Sequence, residues 1–369
     1  MPADHPLQTL CRATTNGRRS GRSRRILGQF LPGFFMSDRI LPIPSIPPGL
    51  TDAAQRGVLI PFVGAGVSVL AGCPTWTQLA DGALRACVEE NKFSYGQLAQ
   101  IEDLPPRMKL SIARGLELEH GFNIDYTKLI QISVNEEKRE IGNRAYRCLG
   151  KLGTTFVTTN YDGWLDTEIP DVQRPMILPA APSTTTSNAP SRRRSIYKVN
   201  EFTPANLNIE RTVFHLHGSI DDPSGMVMTT SEYIERYRND RAGDDPKREN
   251  RTLTFLEHLF SFKTVFFIGY GLEDLEILEY IIQKAPVPQQ RVQAEARHFM
   301  LQGFFAHQHE LMRCLTQYYR HCGIQLLPFQ RDQKDWSQLI DVLENYAGVM
   351  PATSPLNLQI QAEMESYFD

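Results

Sequence analysis

Apolar residues fall in two patterns along this chain. Short unbroken runs, rich in β-branched and aromatic residues, alternate with stretches in which apolar positions recur every three or four residues. The runs are GVLIPFVGAG (57–66), TTFVTTN (154–160), TVFHLHGS (212–219), KTVFFIGYG (263–271), RHFMLQ (297–302) and GIQLLPF (323–329). Each has strand length and is too uniformly apolar to leave one face in water, which predicts buried parallel strands. The periodic stretches predict helices: TWTQLADGALRACVEE (75–90), RMKLSIARGLELEH (107–120), EEKREIGNRAYRCLGKL (136–152), TSEYIERYRND (230–240), RTLTFLEHLFSF (251–262), LEDLEILEYIIQKA (272–285), AHQHELMRCLTQYYRHC (306–322) and DWSQLIDVLENYAG (335–348). Thr75 or Thr77 is the expected N-cap of the first of these.

Strands alternating with helices predict an α/β fold, a doubly wound and mostly parallel Rossmann-like sheet. Residues 93–150 stay helical between two strands and are read as an inserted helical module. ILPIPSIPPGL (40–50) is a proline-punctuated lead-in, and PAAPSTTTSNAPSRRRS (179–195) is low-complexity and expected to be a mobile surface loop. No internal repeat is evident. The expected organisation is an Arg-rich start (1–38), a main domain (50–347) and a C-terminal tail (348–369).

Composition narrows the class. The chain has 369 residues, 41% hydrophobic and 22% charged, as in ordinary globular proteins, and no apolar run reaches the roughly 18 residues of a membrane helix. No membrane partner is expected. Residues 1–35 hold six arginines against Asp4, a balance of +5 that leaves −8 on the rest of a chain totalling −3. An acid-poor arginine cluster fits a transit peptide, a nucleic-acid arm or, on its Gly/Ser content, disorder; Met36 reads as a natural start. The acidic remainder argues against direct nucleic-acid binding by the main domain. The six cysteines are scattered, with no Cys-x-x-Cys pair, which argues against a zinc ribbon and fits a reducing, cytoplasmic compartment.

The chemistry gathers where the runs stop. In open α/β sheets, ligands bind at the carboxyl ends of the strands. Four runs end in GAG, TTNYD, HLHGS and GYG, all small or polar. Gly64-Ala65-Gly66-Val67-Ser68 is either a plain β-turn-α connection or a loop that lets a phosphate approach the backbone. It lacks the third glycine of the dinucleotide fingerprint (that position is Val69) and the Lys of a P-loop. Asn160 and Asp162 either cap a helix or contact a ligand. His215 and His217, two apart on a strand, would share a face. No Asp or Cys at ligand spacing joins them, so a metal is not expected, and His217 before Gly218 is read as a general base or ribose contact. Gly269-Tyr270-Gly271 is a turn before a helix, or the floor for a ribose or phosphate.

GAGVS, TTNYD, HLHGS and GYGLED, in this order and spacing, resemble the sirtuin-like superfamily of NAD-consuming proteins. The nearest branch is the divergent one found as effectors of bacterial antiphage defence. The resemblance spans about residues 50–347, and GMVMTTSEY (225–233) and the last strand and helix also look like that branch. Protein-deacetylating sirtuins carry a four-cysteine zinc ribbon, which this chain lacks. They have Pro-Asp-Phe-Arg where Cys73-Pro74-Thr75-Trp76 stands and Gln-Asn-Ile-Asp where Thr159-Asn160-Tyr161-Asp162 stands. Without the zinc domain, the acyl-lysine cleft would lack a wall, which favours hydrolysis of NAD itself.

The resemblance implies NAD as substrate and no metal. Asn160 would position water and the ribose hydroxyls, and His217 would act as general base. Asp162 would support the loop or meet the nicotinamide end. Gly64, Ala65, Gly66 and Ser68 would cradle the pyrophosphate, Gly269 and Tyr270 would lie near the adenosine ribose, and Trp76, Gly218 and Gly271 would complete the cofactor-binding set. The implied role is an NAD-depleting antiphage effector, a homo-oligomer working with a separate sensor such as a DNA-translocating ATPase or an Argonaute-type protein. Two competing readings are a module that holds NAD or ADP-ribose without turnover, and a protein deacylase.

Overall fold

Seven strands form one sheet in the computed structural model, which describes residues 39–131, 135–169, 191–238, 250–271, 277 and 297–350. In chain order the elements are α1 (Pro48–Gln55), β1 (Leu59–Val63), α2 (Ala65–Leu70), α3 (Trp76–Glu89), α4 (Tyr95–Gln100), α5 (Pro106–His120), α6 (Tyr126–Gln131), α7 (Glu136–Leu152), β2 (Thr155–Thr158), β3 (Arg194–Ile196), β4 (Thr212–His215), α8 (Thr230–Tyr237), α9 (Arg251–Phe262), β5 (Thr264–Ile268), β6 (His298–Phe304), α10 (His309–His321), β7 (Ile324–Gln330) and α11 (Gln338–Val349). The strand order is β3-β4-β2-β1-β5-β6-β7, and every neighbouring pair is parallel. The doubly wound parallel sheet expected from the hydrophobic pattern is therefore present.

Alternation along the strands explains the two layers. Ile60, Phe62, Val157, Phe214, Val265 and Phe267 point to one face, under α8, α9 and α10. Leu59, Val63, Phe156, Val213, Phe266 and Ile268 point to the other, under α1, α7 and α11. Each such fully buried aromatic or aliphatic side chain contributes about 1.5–3 kcal/mol relative to exposure. A third cluster is helical: α3, α5 and α6 pack around Leu84, Leu110 and Tyr126, and this module also covers Tyr161, Met226 and Met228 from the loops after β2 and β4. Thr75 is the N-cap of α3, in a reciprocal capping box with Gln78. Helix α7, although continuous in sequence with the module, packs on the sheet instead.

Two elements were not foreseen. α1 starts inside the proline-rich lead-in, with Pro48 at a first-turn position where a missing N–H costs nothing. β3 occupies Arg194–Ile196, at the end of the segment read as a loop, and pairs with β4. The rest of that loop through 190, the Arg-rich start, the helix expected at 272–285 apart from Ile277, and the tail beyond Met350 lie outside the described residues.

Register aligns the strand ends. Val63 pairs with Thr158 on one side and Ile268 on the other, and Thr158 pairs with His215. These four residues form one row, so the loops after β4, β2, β1 and β5 leave the sheet side by side. From β1 the chain lays down β2, then the edge strand β3, then β4 between them on one side, and returns to β5, β6 and β7 on the other. The reversal falls between β1 and β5, the position at whose carboxyl edge open α/β sheets bind ligands.

Candidate functional site at the carboxyl edge of the sheet

The loops after β1 and β5 are sewn together by backbone. Gly64 N–H donates to Ile268 O at 2.9 Å, and Gly66 N–H donates to Gly269 O at 2.8 Å. A Cβ on Gly64 would stand 2.6 Å from Gly269 O, and one on Gly66 would stand 2.9 Å from it. These glycines exist because two main chains touch. The contact also engages the N–H groups of Gly64 and Gly66. Tyr270 turns into the core against Phe62 and Phe267, while Gly271 is exposed.

Asn160 is held from four directions. Its N–H donates to Thr158 Oγ1 at 3.0 Å. Its carbonyl accepts from His215 Nδ1 at 3.0 Å. Its Nδ2 donates to Gly64 O at 3.1 Å and to Ser68 Oγ at 2.8 Å. Because a carbonyl only accepts, Gly64 O fixes which end of the amide is nitrogen. The other end, Oδ1, is buried and has no hydrogen-bond partner among the described residues. Buried amide oxygens are ordinarily satisfied, so this acceptor is the most informative atom in the site.

Ser68 ties the Asn160 side to a carboxylate. Its Oγ donates to Asp162 Oδ2 at 2.6 Å and lies 3.1 Å from Tyr146 Oη. With its one proton directed to Asp162, Ser68 accepts from both Asn160 and Tyr146. Asp162 Oδ1 accepts from Trp164 N–H at 3.2 Å. Burial raises the Asp162 carboxyl above its ordinary range, against the lowering pull of the Ser68 and Trp164 bonds. Tyr146 stacks on Trp164 at 5.4 Å, and Trp76 meets Tyr161 edge-on at 5.8 Å. Nearby Cys73 is pushed far up by burial and by Asp162, so it stays a thiol and offers no thiolate nucleophile.

The two histidines do not share a face. β4 ends at His215, and His217 follows in a turn closed by Gly218. Gly218 has φ +86°, and a Cβ there would stand 2.6 Å from Gly225 O. His215 Nε2 lies 3.0 Å from Asp166 Oδ1, and both side chains are fully buried. Its two ring nitrogens thus face acceptors, a carbonyl and a carboxylate. Burial pushes the His215 imidazole down, but Asp166, the Asn160 carbonyl and Asp162 together raise it above its ordinary value. The sequence reading looked for an Asp at metal-ligand spacing and so did not find this partner. The partner is Asp166, 49 residues back in the chain, and the two form a buried hydrogen-bonded pair. Among the described residues, no three His, Cys, Asp or Glu side chains gather as a metal site.

His217 sits between phenols. Nε2 lies 2.8 Å from Tyr237 Oη, and Nδ1 lies 3.2 Å from Tyr233 Oη. Both tyrosines come from one face of α8, four residues apart. The Arg107 guanidinium of α5 lies 3.6 Å from the centroid of the Tyr233 ring. The sequence reading missed Thr158, Asp166, Tyr146, Tyr233 and Tyr237. Only the i, i+4 tyrosines of TSEYIERY left a local signal.

Residues 154–322 match the model of the SIR2-like domain. The chain is also distantly homologous to the "NAD(+) hydrolase ThsA" of Enterococcus faecium, 26% identical over 217 residues, which are 58% of this chain and 39% of that protein. The match thus spans well under half of that relative's length.

Proposed function

Starting from a SIR2-like domain at residues 154–322, we propose that the chain hydrolyses NAD, cleaving the bond between nicotinamide and ribose to give nicotinamide and ADP-ribose. The observation that carries the reading is Asn160 Oδ1, a buried acceptor without a partner among the described residues, at the exit of β2. It fits a ribose hydroxyl or the attacking water, either of which would satisfy it. The distant relative's name, an NAD(+) hydrolase, supports the same chemistry.

Nicotinamide leaves as a neutral base from a cationic ring, so expelling it requires no acid. The protein's task is to hold the ribose and water in line. His217 is the candidate base for the water or a ribose hydroxyl, a role worth about 10²–10⁴-fold. Its ring nitrogens are engaged by tyrosines, so one of these bonds must exchange for the substrate. Asp162 and Ser68 hold the Asn160 amide. Gly64, Ala65, Gly66 and Ser68 would lie along the pyrophosphate. Since Gly64 and Gly66 N–H already bond the β5 loop, their contribution is close approach. Gly269, Tyr270 and Gly271 would border the adenosine side, with Gly218 and Trp76 completing the wall. No step here calls for a metal.

The wider role that follows is an NAD-depleting effector of antiphage defence, cytoplasmic, self-assembling and triggered by a separate sensor protein. The engaged ring of His217 favours a second reading, a module that binds NAD or ADP-ribose without turnover. Incubation of purified protein with NAD separates the two. The hydrolase reading expects nicotinamide release by wild type, as isolated or as concentrated oligomer, falling at least about 100-fold in Asn160→Ala and His217→Ala. Tight ADP-ribose binding with no release above the variants would establish the second reading instead.

A further inference from the structure

We propose that the buried Asp166–His215 pair is a positioning device for Asn160: the carboxylate holds the imidazole so that its Nδ1–H grips the Asn160 carbonyl, and this sets where Oδ1 is presented. The inference rests on the reading of Asn160 as a ligand contact.

Three observations carry it. First, the pair lies fully buried at 3.0 Å, and its second ring nitrogen reaches the Asn160 backbone at 3.0 Å. A buried ion pair is weak evidence of stability, since apolar residues of the same volume serve as well or better. Its presence beside the site needs another reason. Second, Asn160 O is an acceptor, so Nδ1 must carry a proton. Nε2 and Asp166 Oδ1 then share the next one. A carboxylate at Nε2 and a carbonyl at Nδ1 together favour the doubly protonated ring, in which each nitrogen donates to its own acceptor and the plane of the imidazole is held, as carboxylates orient imidazoles in catalytic and metal sites. Third, the linkage is rigid at both ends. Asp166 sits on the turn that follows Asn160, Tyr161 and Asp162, and its own carbonyl accepts from Arg193 N–H at 2.7 Å. His215 is the last residue of β4, and the neighbouring Thr158 takes the Asn160 N–H from the other side. Asn160 is therefore clamped at its N–H by β2 and at its C=O by β4, and from that fixed backbone its Nδ2 reaches Gly64 O and Ser68 Oγ.

The pair contributes no atom to the substrate in this scheme; it acts through Asn160. A double-mutant cycle tests that directly. ADP-ribose affinity and kcat are measured on the full chain for wild type, Asp166→Ala, Asn160→Ala and the double variant. Asp166→Ala is expected to weaken ADP-ribose binding and lower kcat about 10-fold each, the loss of one charge-assisted hydrogen bond. Asp166→Asn, whose amide can donate to Nε2 and preserve Nδ1–H, is expected to recover most of both. In the Asn160→Ala background, Asp166→Ala should cost no more than about twofold. Equal losses in both backgrounds would overturn the proposal, as would an Asp166→Asn variant that folds yet is as weak as Asp166→Ala. Wild type that binds ADP-ribose but releases no nicotinamide would end the hydrolase reading while the affinity cycle still judges the pair. If the alanine variants do not fold, or no ADP-ribose binds, nitrogen NMR of the His215 ring in wild type decides. A protonated Nδ1 coupled to the Asn160 carbonyl supports the clamp, and an unprotonated Nδ1 rejects it.

Discussion

The two edges of the sheet bury the same side chain and shift its pKa in opposite directions. At the amino edge, His298 opens β6. Its Nδ1 accepts from Val265 N–H at 3.2 Å, the ring makes a backbone hydrogen bond to Phe260, and burial together with Arg297 drives its pKa down to about 3. It is a neutral, fully used structural group. At the carboxyl edge, His215 closes β4 between two acceptors and is raised despite equal burial. Burial alone always disfavours the cation; only acceptors in place can reverse the sign. The difference teaches where the fold tolerates cost. At the amino edge His298 is neutral with its hydrogen bonds made. The carboxyl edge carries a buried His215–Asp166 pair, a raised carboxyl in Asp162 and an amide oxygen without a partner among the described residues.

The largest test of this contrast exchanges histidines for glutamine at both edges. His217→Gln should cost about 10²–10⁴-fold in NAD hydrolysis with the unfolding midpoint nearly unchanged, because glutamine can still bond the tyrosines. His298→Gln should do the reverse, costing about 1–3 kcal/mol if Val265 N–H loses its acceptor and leaving kcat alone. Nicotinamide release and urea unfolding read the two effects. A rate loss at His298 matching that at His217 would erase the distinction.

How much of this was legible follows the same division. The sheet was legible because buried strands write themselves as unbroken apolar runs, and the switch between apolar and small polar residues marked the row Val63, Thr158, His215, Ile268. Asn160 and His217 were legible as polar groups where such runs stop. The pairing of His215 with Asp166 was not, since the two are separated by 49 residues and meet only when β2 and β4 align. The shared face expected of His215 and His217 failed because period two holds only inside a strand, and this one stops at His215. β3 was hidden because its three residues, Arg194–Ile196, carry one buried side chain, too few for a periodic signal.

A pH series should separate His298 from His215. For His298, the folded pKa of about 3 lies below the unfolded value of 6.5, so the unfolded chain takes up the proton first as pH falls. Its contribution is whole above 6.5 and is lost towards about 3, at up to about 1.4 kcal/mol per pH unit, or about 2 kcal/mol by pH 5. For His215 the folded value is raised, so the pair's contribution is whole below the unfolded value and is lost as pH rises through the folded one. Urea unfolding from pH 7 to pH 5 should therefore show a steeper acid loss in wild type than in His298→Gln. Equal slopes would mean that His298 takes up its proton in the folded protein.

The smallest effect gives the sharpest comparison, because both substitutions lie on one strand. β2 carries a threonine at each end. Thr155 Oγ1 donates to Ile209 O at 3.0 Å at the amino edge. Thr158 Oγ1 donates to Val63 O at 2.7 Å and accepts from Asn160 N–H at 3.0 Å at the carboxyl edge. Valine preserves the shape of either and removes only the hydroxyl. Thr155→Val should cost about 1 kcal/mol of stability, one ordinary hydrogen bond, with no change in kcat. Thr158→Val should cost about 1–3 kcal/mol, because it strands the buried Asn160 N–H, and should also lower kcat about 10-fold by loosening one side of the Asn160 clamp. Steady-state kinetics on the two variants compares the edges with strand, residue type and substitution held constant. If Thr155→Val slows turnover as much as Thr158→Val, the hydroxyl matters to the strand as a whole, and the carboxyl edge loses its claim to the chemistry.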